Sequence, residues 1–219
     1  MATRDKAKRL ALAAALVMLL VSSAAARAHE AEPPRAAAPP ADAPFLGVIG
    51  AAPDFSLLDT AGRGVQLADD RGRVVLIAFI YTSCTTACPI LSQKMSFLQR
   101  ELLARDYDGQ RVRFYSITVD PQRDSPEVLA RYARPFVRNE AAWRFLYESP
   151  ERLQPVLAAY DEWTRPLPDG ELDHPARLYL IDGRGRVREI YSLAFFDVAQ
   201  AFTDIAALLS EAGQVVQRP

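Results

Sequence analysis

The sequence predicts an α/β protein with a thioredoxin-like fold: a mixed central sheet flanked by helices, with an N-terminal β-hairpin. Three observations lead there. Residues 74–81 (VVLIAFIY) and 112–119 (VRFYSITV) are apolar runs rich in β-branched and aromatic residues, the composition of strands buried on both faces. Helical patterns follow each run, and two later strands joined by a tight turn lead to a last helix. The only two cysteines, Cys84 and Cys88, stand where the first long strand meets the first long helix.

Residues 1–28 have the plan of an export signal. Arg4, Lys6, Lys8 and Arg9 form a basic start, residues 10–21 (LALAAALVMLLV) an apolar run, and Ala26-Arg27-Ala28 a small-x-small cleavage site. The run is shorter than the ~20 apolar residues of a membrane span. An uncleaved leader would still hold the protein at a membrane surface. No cysteine lies near it, which excludes a lipid anchor on cysteine. Residues 29–44, rich in Pro and Ala, read as a linker, and residues 45–219 as one folded domain.

Within that domain, residues 53–57 and 65–67 pair as a hairpin around a turn at 58–62. After strand 74–81, apolar residues at Ile90, Leu91, Met95, Leu98, Leu102 and Leu103 have helical spacing, and Pro89 suits the first turn, where its missing N–H costs nothing. Asp108-Gly109 breaks this helix before strand 112–119. Ser125-Pro126-Glu127 and Ser149-Pro150-Glu151 each join an N-cap to a proline at the first helical position. The first of these helices would end near Phe136 and the second near Tyr160. Strands 177–181 and 187–191 turn at Asp182-Gly183-Arg184-Gly185, and an amphipathic helix covers 198–212.

Charge and compartment narrow the chemistry. The formal net charge is −1, and removing residues 1–28 leaves −5, with no basic cluster in the body. Nothing here points to a nucleic-acid partner. Export places the cysteines where disulfides persist. A bridge across so short a loop would stabilise by only roughly 2 kcal/mol, which a domain with an ample core hardly needs.

Cys88 opens the first long helix, and Cys84 lies in the loop before it. Unpaired N–H groups and the positive end of the helix dipole favour thiolate there. The site is therefore equipped for metal binding and for disulfide exchange. One residue more than the CxxC of thioredoxins separates the sulfurs, which widens the bite and suits a metal. In a thioredoxin-like fold the loop entering strand 177–181 faces the N-terminus of that helix. This brings His174 within reach of both sulfurs, unless it is simply a solvated loop residue. Two thiolates and an imidazole suit copper, the thiolates for Cu(I) and the imidazole for Cu(II). Zinc in a structural role wants four ligands. Asp173 stands beside His174 and is a candidate to orient its ring. Asp124 reads as a turn or helix-approach residue. Cleavage after Ala28 would make His29 an N-terminal histidine, a separate copper chelate.

FIYTSCTTACPILSQKM, ITVDPQRDSPEVLARYA and DHPARLYLIDGRGRV, in that order, resemble the Sco/SenC family of copper-delivery proteins over residues 45–212 or so. The resemblance implies a thioredoxin-like fold behind an N-terminal anchor or export signal. It also implies copper held by the CxxxCP pair and a distant histidine. On it Cys84, Cys88 and His174 are the metal ligands, and Asp120 is the acidic residue near the metal, in the second shell or weakly at the ion. It implies service to the dinuclear copper centre of a cytochrome oxidase, with the copper-accepting subunit and a thiol–disulfide reductant as partners. The location would be periplasmic, soluble or held at the inner membrane by the N-terminal segment.

Two enzymatic readings compete. A thiol–disulfide oxidoreductase would use Cys84 and Cys88 as its redox pair, Cys84 attacking if it is the more exposed, and would reduce the cysteines of the copper acceptor. A peroxidase of the peroxiredoxin type relies on a peroxidatic cysteine with a nearby Arg and Thr, which a close pair plus histidine fits poorly.

Overall fold

The structure is a computed structural model that describes residues 46–216 apart from 106, 108 and 109. The expected leader and linker, and with them His29, lie outside the described residues. Among the described residues, no helix is long and apolar enough to cross a membrane.

The chain enters through β1 (Gly50–Ala51) and the hairpin of β2 (Ser56–Asp59) and β3 (Gly64–Gln66). Two parallel crossovers follow: β4 (Val74–Ile80), α1 (Ala87–Leu103), β5 (Val112–Thr118), α2 (Pro126–Ala133) and β6 (Trp143–Tyr147). Next come α3 (Pro150–Ala159) and a small separate hairpin of β7 (Arg165–Pro166) and β8 (Leu172–Asp173). The antiparallel pair β9 (Arg177–Ile181) and β10 (Arg186–Ser192) and the long α4 (Val198–Val216) end the fold. Eight strands form one mixed sheet in the order β1-β10-β9-β4-β5-β6-β2-β3.

β4 sits between β5 and β9, so every one of its residues is buried, as its unbroken apolar sequence requires. One face of the sheet carries Ile77 and Phe79 and is covered by Tyr160 after α3, with Phe79, Tyr160 and Tyr179 in mutual ring contact. α1, α2 and α4 cover the other face. Ser92 and Ser96 of α1 bond to Tyr132 and to the carbonyl of Phe136, and Tyr132 packs on Phe145 of β6. The expected mixed sheet flanked by helices, with its N-terminal hairpin, is the observed one.

The differences are local. β6 falls in a stretch read as having no strand. Trp143, Phe145 and Leu146 are buried and Arg144 interrupts the pattern, so the run is too short and mixed to stand out. Its backbone is held by the edge of β5 through the register Phe114↔Trp143 to Ile117↔Leu146. α2 stops at Ala133 rather than near Phe136, because Pro135 has no N–H to donate the next bond back into the helix. Ile90, expected on the buried stripe of α1, is exposed. β1 and the β7–β8 hairpin, all of two residues per strand, leave no periodic signal.

The carboxyl ends of the parallel strands β4 and β5 meet the N-termini of α1 and α2 at one edge of the domain. That is where α/β sheets place their chemistry. The cysteine loop follows β4, and Asp120 and Asp124 follow β5. The segment before β9 carries His174.

Candidate metal centre

α1 has no side-chain cap of the usual kind: Thr86 stands at its N-cap without bonding any backbone N–H. Cys84 does this instead, its Sγ accepting from the Cys88 N–H at 3.3 Å. The sulfur thus takes up one of the orphan donors of a helix start, where the dipole also favours negative charge. The Cys88 thiol donates to it as well. This bond above all, opposed by burial and helped by the amides of Cys88 and Thr86 and the Tyr81 hydroxyl, holds the Cys84 thiol down to about 5. Giving that bond and being buried push the Cys88 thiol well above its ordinary range. The pair shares a single proton at neutral pH. Both cysteines are free, and Cys84, at 7% exposure against 2%, is the more accessible.

Reactivity checks this asymmetry. Alkylation by iodoacetamide should follow one titration with a midpoint near 5. It should reach its plateau as pH rises above that value, with Cys84 modified and Cys88 spared. Equal labelling of the two, or a midpoint at the ~8.5 of a free thiol, would remove the proposed proton sharing.

His174 follows β8 and points its Nε2 at Cys88 Sγ, 4.0 Å away. Metal–sulfur and metal–nitrogen bonds of about 2.3 and 2.0 Å reach across a gap of that size. The ring stands edge-on to Tyr81 with centroids 5.5 Å apart. A latch sets its height above the cysteines. Glu171 of the turn before β8 accepts from the Thr85 amide at 3.2 Å, the Thr85 hydroxyl at 3.0 Å and the Tyr81 hydroxyl. Tyr81 also accepts from the Leu172 amide at 3.1 Å. The loop between the cysteines and the segment carrying the histidine are therefore tied together. They frame an open cavity of about 420 Å³ onto which Cys84 and His174 face. Among the described residues no three His, Cys, Asp or Glu side chains already form a cage. Cys84 is turned to the amide it caps, and His174 approaches Cys88 alone.

The acidic residues sort differently from the expectation. Asp120 is buried at the end of β5, but its carboxylate pairs with Arg123 rather than with any sulfur. Arg123 in turn donates to the Gly170 carbonyl at 2.7 Å and lies over the Tyr81 ring, so Asp120 reaches the site through the β7–β8 hairpin. Asp124 is more than a turn residue. It is 1% exposed and accepts from the Thr82 amide at 3.1 Å, the Thr82 hydroxyl at 2.5 Å and the Thr118 hydroxyl at 2.6 Å, which pins the cysteine loop to β5. Asp173 does not orient the histidine: it pairs with Arg165 across the β7–β8 register. The carboxylate beside the ring belongs to Glu162, whose Oε2 lies 4.0 Å from His174 Nδ1. Sequence reading missed Glu162 because nothing in the pattern after α3 marks it as buried.

The SCO1/SenC family model matches residues 49–210. A SCO1 protein homolog of Bacillus subtilis is 32% identical over 142 residues, which are 63% of this chain and 72% of that protein. The chain spans about half the length of the mitochondrial SCO2 homologues of cattle and human that it also matches. Among solved structures, Bradyrhizobium japonicum ScoI with copper bound superposes with a TM-score of 0.63 and 28% identity, covering 73% of this chain and 99% of that one. BsSco is described as a member of the Sco family of cytochrome c oxidase assembly proteins and as carrying a disulfide switch. It superposes with a TM-score of 0.63 and 26% identity, over 75% of this chain and 97% of that one.

Proposed function

The chain belongs to the SCO1/SenC family, and on that premise we propose that it is an exported copper metallochaperone. It takes copper at Cys84, Cys88 and His174 and hands it to the copper-accepting subunit of a cytochrome oxidase in the periplasm. The observation that carries this reading is the 4.0 Å approach of His174 Nε2 to Cys88 Sγ beside the ionised Cys84. The copper-bound relative supports copper as the cargo.

The donor set suits a carrier rather than a store. Cys84 already presents a thiolate to the open cavity, so an incoming Cu(I) meets a charged soft donor first. Cys88 joins by losing the proton it shares with Cys84, and His174 offers Nε2 from the opposite wall. Two thiolates hold Cu(I) well enough to carry it. The open side lets an acceptor's thiolates displace them one at a time. The Glu171 latch and the Asp124 anchor keep the cysteine loop and the histidine in register during that exchange. Asp120 acts on the same hairpin through Arg123.

One observation favours a second reading. An acidic, more exposed Cys84 beside a buried, protonated Cys88 is the asymmetry of a dithiol reductant. Cys84 thiolate would attack an acceptor disulfide and release one of its sulfurs as thiolate. Cys88 would then give up its proton and attack the Cys84 sulfur of the mixed disulfide, closing the Cys84–Cys88 disulfide and expelling the second acceptor sulfur as thiolate, so that two electrons reach the acceptor. The acceptor must be reduced before it takes copper, so one protein can do both. A separate thiol reductant would restore the pair.

Anaerobic titration of the reduced domain with Cu(II), beside a His174→Ala variant, separates the two. A one-to-one thiolate-to-copper charge-transfer band, lost or destabilised in the variant, is expected of the chaperone. Rapid copper reduction with disulfide formation, identical in both proteins and without a stable complex, would leave only the oxidoreductase.

A further inference from the structure

We propose that Glu162 fixes the tautomer of His174 and, through it, biases the copper site toward Cu(II). This rests on the copper reading above.

The backbone delivers Glu162 to the ring by an unusual route. α3 ends in a helix stop in which the Asp161 N–H bonds the Ala158 carbonyl at 3.1 Å and the Glu162 N–H bonds the Leu157 carbonyl at 2.8 Å. Asp161 takes the left-handed conformation of this stop, with φ 54°, the one non-glycine residue with positive φ among those described. The residue that follows such a stop commonly packs an apolar side chain back on the helix. Here it is a carboxylate, with its side chain wholly buried.

One oxygen of that carboxylate has a partner, since Oε1 lies 3.2 Å from the Tyr179 hydroxyl. Among the described residues the other, Oε2, has none; His174 Nδ1, itself buried and without a hydrogen bond, lies 4.0 Å from it. The charged and titratable groups that face Glu162 are His174, Tyr179 and Arg177, and Arg177 is engaged by Asp161. Two buried polar atoms facing each other unpaired need an explanation. Proton placement supplies it. With the proton on Nδ1, the ring turns a donor toward the carboxylate and leaves the Nε2 lone pair aimed at Cys88. With the proton on Nε2, a lone pair would face the carboxylate and an N–H would block the metal side. In its ionised form, which His174, Tyr179 and Arg177 favour against the rise that burial imposes, the carboxylate therefore selects the metal-ready ring. A metal on Nε2 draws electrons from the ring and strengthens Nδ1–H as a donor to Glu162. The doubly charged ion does this more than the singly charged one, so the anion favours Cu(II) over Cu(I).

Glu162→Gln keeps the shape and can keep the contact to Tyr179, while placing an amide donor against Nδ1. In the metal-free protein, nitrogen chemical shifts of the His174 ring should report Nδ1–H in the wild type and a shift to Nε2–H in the variant. Competition titrations should then show Cu(II) affinity falling by about 10- to 100-fold, the usual effect of removing an outer-shell partner, and Cu(I) affinity much less. Glu162→Leu, which carries neither charge nor donor, should lose the Cu(II) preference as well and guards against a Gln-specific artefact. An unchanged tautomer, or equal losses for both ions, would overturn the inference and leave the copper reading standing. A wild-type protein that binds neither ion would overturn the copper reading and the Cu(II) bias together, while the ring shifts still judge the tautomer.

Discussion

Replacing Cys88 by alanine should lower Cu(I) affinity by at least about a thousandfold, roughly 4 kcal/mol. Cu(I) is left with one thiolate and one imidazole, and soft thiolates supply most of its binding. The variant should also change the proton balance. In the wild type at neutral pH, Cys84 is already ionised, with its pKa down at about 5. The thiols then release about one proton per copper, and it comes from Cys88. Below pH 5 Cys84 must deprotonate too, so the release climbs toward two and binding weakens more steeply as pH falls. In the alanine variant the neutral-pH release from the thiols vanishes. The Cys84 thiol should also titrate above 5, since the Cys88 thiol is the first cause of its acidity. Cu(I) competition against a chromophoric chelator, run with pH-stat detection, reads both effects. An affinity within tenfold of wild type would sink the two-thiolate site.

Asp124→Ala should cost stability of about 3–5 kcal/mol, because each buried donor left without a partner costs about 1–3. The donors concerned are the Thr82 amide, the Thr82 hydroxyl and the Thr118 hydroxyl. For a domain of this size the melting temperature should fall by about 10 °C. Burial holds the Asp124 carboxyl above its ordinary 3.8, against the pull of the Thr118 and Thr82 bonds. The folded state thus prefers the protonated form. Asp124 therefore contributes most at low pH, and that contribution declines as pH rises from 3.8 through the raised folded value. An Asp124→Asn variant keeps one acceptor, should lose less, and should lack that slope. Urea unfolding across pH measures all three. A loss under about 1 kcal/mol for alanine would show that the Thr82 loop does not depend on this anchor.

The cysteine loop explains why the stability effect matters for copper. Thr82 lies two residues before Cys84, so the Asp124 anchor, the Glu171 latch and the capping sulfur restrain one short segment from three sides. Loosening any of them leaves the sulfurs present and their separation unfixed.

Much of this was legible from residue order. The apolar, β-branched run of β4 is buried at every residue, and β5 at all but Arg113, as strands covered on both faces are. Ser125-Pro126 starts α2 with the Ser125 hydroxyl accepting from the Val128 amide, as a local cap must. The helix-start amides, a feature of local backbone, do lower Cys84, but the Cys88 thiol lowers it more, and Cys88 itself is pushed up, against the acidity expected of both sulfurs. The reach of His174 to Cys88 followed from the expected topology. β6 and the two-residue strands were not legible, because a partner strand rather than their own composition holds them. The acidic residues were the least legible. Asp173 is next to His174 in the chain, yet strand pairing gives it to Arg165. Glu162 comes to the ring from the far side of a helix stop. Local pattern settles which segments are helix or strand and where a thiol ionises, since those depend on neighbours a few residues away. Which carboxylate meets which ligand depends on register and turn geometry summed over the whole domain, and that exists only once the chain has folded.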